Sequence, residues 1–173
     1  TPEEAIDYLK AIQMIISAMP RLNQDLFFVL LQKLSKLAPA DITKLSASIL
    51  ELEKAKNEAF MLKDIFYRIS PQDLKTLLPS LTEILGKERS FFTSLVEKIA
   101  PLKEPDLSKY TPVFSVFAKL DRRELSSLSA SIASLSEQEF KNFLDKALKE
   151  GITERKGEDL FNTIKKLLPV PGK

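Results

Sequence analysis

Residues 36–52 read KLAPADITKLSASILEL, and residues 119–135, 83 positions on, read KLDRRELSSLSASIASL. Lys36, Leu37, Leu45, Ser46, Ala47, Ser48, Ile49 and Leu52 recur as Lys119, Leu120, Leu128, Ser129, Ala130, Ser131, Ile132 and Leu135. In the first copy Ile42, Leu45, Ile49 and Leu52 step by three, four and three, the spacing of one face of an α-helix. Leu125, Leu128, Ile132 and Leu135 repeat it in the second copy. The echo reads either as an internal duplication of the 36–52 unit or as two capped amphipathic helices that converged.

A longer series supports helical repetition. An aliphatic residue, an acid four positions on, then apolar residues one and four positions after the acid recur from Leu37, Ile69, Leu102, Leu120 and Leu135. Without Leu120 the spacings are 32, 33 and 33 residues, enough for a helix–turn–helix unit. The expected fold class is all-α: one domain over 1–168 of about eight to ten short amphipathic helices, with a tail over 169–173. A helix-hairpin repeat resembling an α-solenoid and an irregular bundle both satisfy that pattern.

Helix starts follow from capping chemistry. Thr1-Pro2-Glu3-Glu4, Ser70-Pro71-Gln72-Asp73, Asp121-Arg122-Arg123-Glu124 and Ser136-Glu137-Gln138-Glu139 each offer a cap oxygen and an acid at the third helical position. Asn23 and Thr153 are weaker starts, and Ala38-Pro39 keeps the proline without a cap side chain. Gly151 suits the residue after a helix end, and Gly86 is a second candidate stop. Residues 42–69 contain no glycine or proline, so they form one long helix or two meeting near Glu53–Asn57.

Composition excludes more chemistry than it suggests. The chain has no histidine and no cysteine, which removes the usual neutral-pH base, the thiol nucleophile and the common zinc ligands. Four scattered glycines make no phosphate cradle. A net charge of +2, without a basic stripe, argues against nucleic acid. The longest apolar run, Leu26–Leu31, is far below the roughly 20 residues of a transmembrane segment. The chain opens at Thr1 without methionine, the expectation being a processed or trimmed soluble chain. No cofactor or metal is expected, and the function expected is not catalytic. Asp64/Arg68, Glu83/Lys87 and Asp145/Lys149 are spaced as i, i+4 ion pairs of a solvated face.

The aromatics read mostly as core. Pro79 and Pro112, six positions after Asp73 and Asp106, should kink or break their helices, or Thr111-Pro112 should start a new one. A kink would open space beside Leu77, Leu81, Phe91, Leu95, Tyr110, Phe114 and Phe117, the expected lining of any apolar pocket.

Two functions follow. The first is an interaction or scaffold protein that holds a protein or peptide partner on a face of stacked helices. The second is a carrier of an apolar small molecule. In ISPQDLKTLL (69–78) and LSEQEFKNFL (135–144) the chain is similar in texture to the nematode fatty-acid- and retinol-binding proteins. That resemblance implies an all-helical carrier of a fatty acid or related lipid, and no residue role is carried over from it.

Overall fold

The computed structural model describes residues 1–169. Among them are ten α-helices and no strand: α1 Pro2–Ala18, α2 Gln24–Leu34, α3 Pro39–Glu51, α4 Ala59–Arg68, α5 Pro71–Lys87, α6 Arg89–Ile99, α7 Glu104–Val116, α8 Arg122–Ala133, α9 Glu137–Lys149 and α10 Gly157–Leu167. Of the expected tail, Pro169 is exposed and residues 170–173 lie outside the described residues.

The caps work as their chemistry demands. Thr1, Asp121 and Ser136 each close a capping box with Glu4, Glu124 and Glu139. The side chains of Ser70 and Asn23 accept from the amides of Asp73 and Leu26. Gly151, at φ 62°, takes the left-handed position after α9 that a side chain would strain. Gly86 stops nothing, since α5 runs through it to Lys87. Thr153 starts no α-helix either; it sits in a 3-10 turn, Ile152–Glu154, and α10 begins at Gly157. Between Ile42 and Ile69 there are two helices, separated by a 3-10 stretch, Leu52–Glu58, in which Ala55 leaves helical geometry (φ −105°, ψ 41°).

Packing runs by alternate helices. α1 lies on α3, α3 on α5, α5 on α7 and α7 on α9, while α2 lies on α4, α4 on α6 and α6 on α8. The chain therefore alternates between an odd and an even layer, as stacked helical hairpins do. Caps of the odd helices at Ala38, Ser70, Lys103 and Ser136 stand 32, 33 and 33 residues apart, so the period read from sequence is the hairpin period. Leu37, Ile69, Leu102 and Leu135, each preceding one of these caps, are buried. The 36–52 echo behaves differently. Its first copy lies on α3 in the odd layer and its second on α8 in the even layer, so the two are not equivalent places in the 33-residue series.

Polar contacts repeat in register along the stack. Lys75, five residues after its cap on α5, reaches Asp41, three after the cap of α3, at 3.3 Å. Lys141 on α9 reaches Asp106 on α7 in the same register at 3.2 Å. Cations also tie one hairpin to the turn carbonyls of a neighbour. The Arg68 guanidinium donates to the carbonyls of Ala100 and Leu102. Lys98, at the equivalent place on α6, donates to Leu135 at 2.6 Å. Lys87 donates to Ala118 and Leu120 (2.6 and 3.0 Å), and Lys119 to Thr153 (3.1 Å). Of the ion pairs expected along single helices, Glu83–Lys87 forms at 3.2 Å. Arg68 instead spends its guanidinium on the next hairpin, and Asp145 pairs with Lys109 of α7.

α5 and α7 continue through Pro79 and Pro112, so neither proline breaks its helix and Thr111-Pro112 starts none. Pro112 is exposed, as is Ser108 one turn back, whose carbonyl loses its amide and faces water. Neighbouring hydroxyls fold back on the same turns. Thr111 donates to Leu107 at 2.7 Å and Ser80 to Thr76 at 2.9 Å.

Lys98→Met keeps the aliphatic stem and removes the donor to Leu135. We expect a loss of about 1–2 kcal/mol, read as a fall in Tm of about 3–6 °C for a chain of this size, with helicity unchanged by circular dichroism.

Candidate functional site

The seven residues expected around a pocket are all buried, as members of one continuous apolar core. Leu77 and Tyr110 hold the seventh position after their caps on α5 and α7, and Leu81 and Phe114 the eleventh. They are the same two core positions in successive hairpins. Phe91 and Phe117 meet with ring centroids 5.0 Å apart, and Phe117 stacks on Phe143 at 6.3 Å. Phe114 stacks on Phe140 at 6.1 Å. Leu95 lies in the same cluster, buried on α6.

Tyr110 carries the one polar group of this set. Its ring is buried while its hydroxyl donates to the Asp145 carboxylate, which Lys109 also meets at 3.4 Å. The phenol's hydrogen bond, then Lys109, holds the Asp145 carboxyl below the ordinary carboxylate range. Burial, then the bond to Asp145, pushes the Tyr110 phenol up. Asp145 occupies the register of Pro79 and Pro112, nine residues after its cap. The group is a clasp between α7 and α9.

Glu58 is the buried carboxylate of the chain's first half. It accepts from the Thr93 hydroxyl at 2.7 Å and pairs with Arg89 at 3.3 Å. Arg89 also donates to the Lys54 carbonyl, so this cluster ties the Leu52–Glu58 stretch to α6. Among the described residues no three histidines, cysteines or acids gather where a metal ion could sit.

The surface differs along its length. Of eleven phenylalanines and three tyrosines, Phe28, Phe60 and Tyr67 alone are exposed, by 50%, 64% and 66%. All three lie in the even layer, on α2 and α4. The reason is register: Leu26, Phe27, Leu30 and Leu34 take the buried face of α2, leaving Phe28 outside. Likewise Leu62, Ile65 and Phe66 take the buried face of α4, leaving Phe60 and Tyr67 on the opposite side, seven residues apart. Between the two helices runs a groove of about 550 Å³, lined by Asp25, Phe28, Val29, Gln32, Lys63, Asp64 and Tyr67. Lys63 lies 5.5 Å over the Phe60 ring. The even layer carries further grooves where α4 meets α6, at Tyr67, Arg68 and Pro101, and where α8 meets α10, at Leu128, Phe161 and Leu168.

Adjacent rings such as Phe27-Phe28 sweep about 100° of helix surface, but Phe91 and Phe92 are an adjacent pair with both rings buried, so adjacency alone does not mark Phe28. Phe60 and Tyr67 gave no signal beyond their register. No protein-family model, curated protein or solved structure matches the chain. No helix among the described residues is long and apolar enough to cross a membrane.

The Asp145 clasp makes stability depend on pH. A carboxyl held low in the folded state stabilises it above the ordinary carboxylate range, and that gain is lost as pH falls through the lowered value. Tyr110→Phe is therefore expected to lower Tm at pH 7, with the difference from wild type closing below about pH 4. Thermal melts of the two proteins across the acid range check it.

Proposed function

We propose that the chain is a non-enzymatic interaction protein that holds a segment of a protein partner in the α2–α4 groove of its even layer. The single observation that supports this most is the exposure of Phe28, Phe60 and Tyr67 together, in a protein that buries or half-buries every other aromatic side chain. Exposed rings beside a groove supply large contact area at small entropic loss, and aromatic anchors carry much of the energy of protein interfaces. Asp25, Asp64 and Lys63 at the rim give charges of both signs that fix orientation rather than affinity. The partner is then a short segment presenting apolar side chains to the groove and mixed charge to its rim. The apolar-ligand carrier is the second reading; its seven lining residues are buried in the continuous core, where Phe91 meets Phe117.

The test is a peptide-display selection on the purified wild-type protein, the selected peptides then being measured on the Phe28→Ala/Tyr67→Ala variant. Both side chains are exposed, so the variant is expected to keep the wild-type Tm. Selected peptides should bind wild type and weaken at least about tenfold on the variant. Peptides that bind both proteins equally, or stoichiometric displacement of a fluorescent fatty acid from wild type, would overturn the reading.

A further inference from the structure

The even layer is grooved at each of its seams. Counted from the caps, the sixth residue of every even helix is open to solvent: Val29, Asp64, Ser94, Ser127 and Asn162. These residues share one outward face. Grooves cross it between α2 and α4, α4 and α6, α6 and α8, and α8 and α10. Neighbouring grooves run into one another. Asp64 and Tyr67 line both the first and the second, while Arg123 and Ser127 line both the third and the fourth. Between the two pairs the face is low, since α6 places Ser90, Thr93 and Ser94 there.

Charge differs between the two ends of this face. The first groove carries Asp25 and Asp64 against Lys63, which stands 3.9 Å from Asp64. Asp25 meets no cation among the described residues. The third and fourth grooves carry Arg122, Arg123 and Lys165 against Glu88 and Glu124. Both of those acids are engaged. Glu124 accepts from the Asp121 amide in its capping box, and Glu88 takes the Ser90 hydroxyl and, at 4.0 Å, Arg122. Arg123 and Lys165 meet no acid among the described residues. The first end therefore asks a partner for a base, and the last end asks it for an acid.

We propose that the partner segment is extended and crosses the even layer from the α2–α4 groove to the α8–α10 groove, with a basic residue beside Asp25 and Asp64 and an acidic residue between Arg123 and Lys165. This rests on the α2–α4 groove being the partner site. Phe28 and Tyr67 anchor the first part of the segment, and Leu128 and Phe161 give the last part an apolar floor. Packed helix axes lie about 9 Å apart, so the first and last seams are about 27 Å apart. An extended chain covers that distance in about eight residues. A helix of the same eight residues spans only about 12 Å and reaches one end or the other, not both.

The experiment is a display selection on the wild-type protein from a library of segments about sixteen residues long, twice the span. Selected segments should carry a basic and an acidic residue about eight positions apart. Their binding should fall at least about tenfold on Phe28→Ala/Tyr67→Ala and, separately, on Arg123→Glu/Lys165→Gln. Arg123 and Lys165 are exposed, so the second variant is expected to keep the wild-type Tm. Exchanging the segment's acid for lysine should weaken binding to wild type and restore it on Arg123→Glu/Lys165→Gln. Segments that weaken on Phe28→Ala/Tyr67→Ala but bind Arg123→Glu/Lys165→Gln as they bind wild type overturn the path and leave the groove standing. Segments indifferent to both variants, or a selection that yields no binder, overturn the groove and the path with it.

Discussion

A helical hairpin of about 33 residues has more apolar surface than its own two helices cover, and every other feature of this chain answers to that constraint. Each helix must find cover two places along the sequence, which is why odd and even helices separate into layers. Within the odd layer the eighth position after the cap is buried in α3, α5, α7 and α9, and in two of the seams the fifth is ionic. Between hairpins the carbonyls left open at turns are met by Arg68, Lys87, Lys98 and Lys119 from a neighbouring hairpin. Helix termini leave such acceptors wherever a turn follows, and a cation on a long stem reaches them without needing a second helix to be placed. The stacking thus has an apolar part that sets spacing and a polar part that sets register.

The local signals were legible because they are local. Capping boxes at Thr1, Asp121 and Ser136 need four consecutive residues, and each is where its chemistry puts it. The 33-residue period was legible from an aliphatic residue before each cap, which is buried each time. LSASI recurs on α3 and α8, helices of different layers, so its recurrence does not follow the 33-residue period. Neither proline breaks its helix, and for Pro112 the exposure that makes this cheap, shared with Ser108 one turn back, belongs to the assembled layer rather than to the peptide.

The charged residues show the same divide. Asp64/Arg68 and Asp145/Lys149 satisfy the i, i+4 rule, but a pair on one helix is worth only a few tenths of a kcal/mol. A carbonyl or phenol on the next hairpin outbids it. Arg68 therefore keeps only its Nε on its own helix, at the Asp64 carbonyl, and it and Asp145 reach neighbours that no spacing rule identifies. The candidate binding surface was illegible for a similar reason. Phe28 reads as core beside Phe27, and Phe28, Phe60 and Tyr67 become a patch only once α2 and α4 lie side by side.

The alternate-helix stacking has a kinetic consequence. Since most helices pack on the second helix before or after them or on an immediate neighbour, the chain closes short loops to reach most of its native contacts. Short loops lose little entropy on closure, so folding can begin at whichever pair of hairpins meets first and spread in both directions. Growth of this kind meets little topological frustration, since each step is the docking of one hairpin on those already placed.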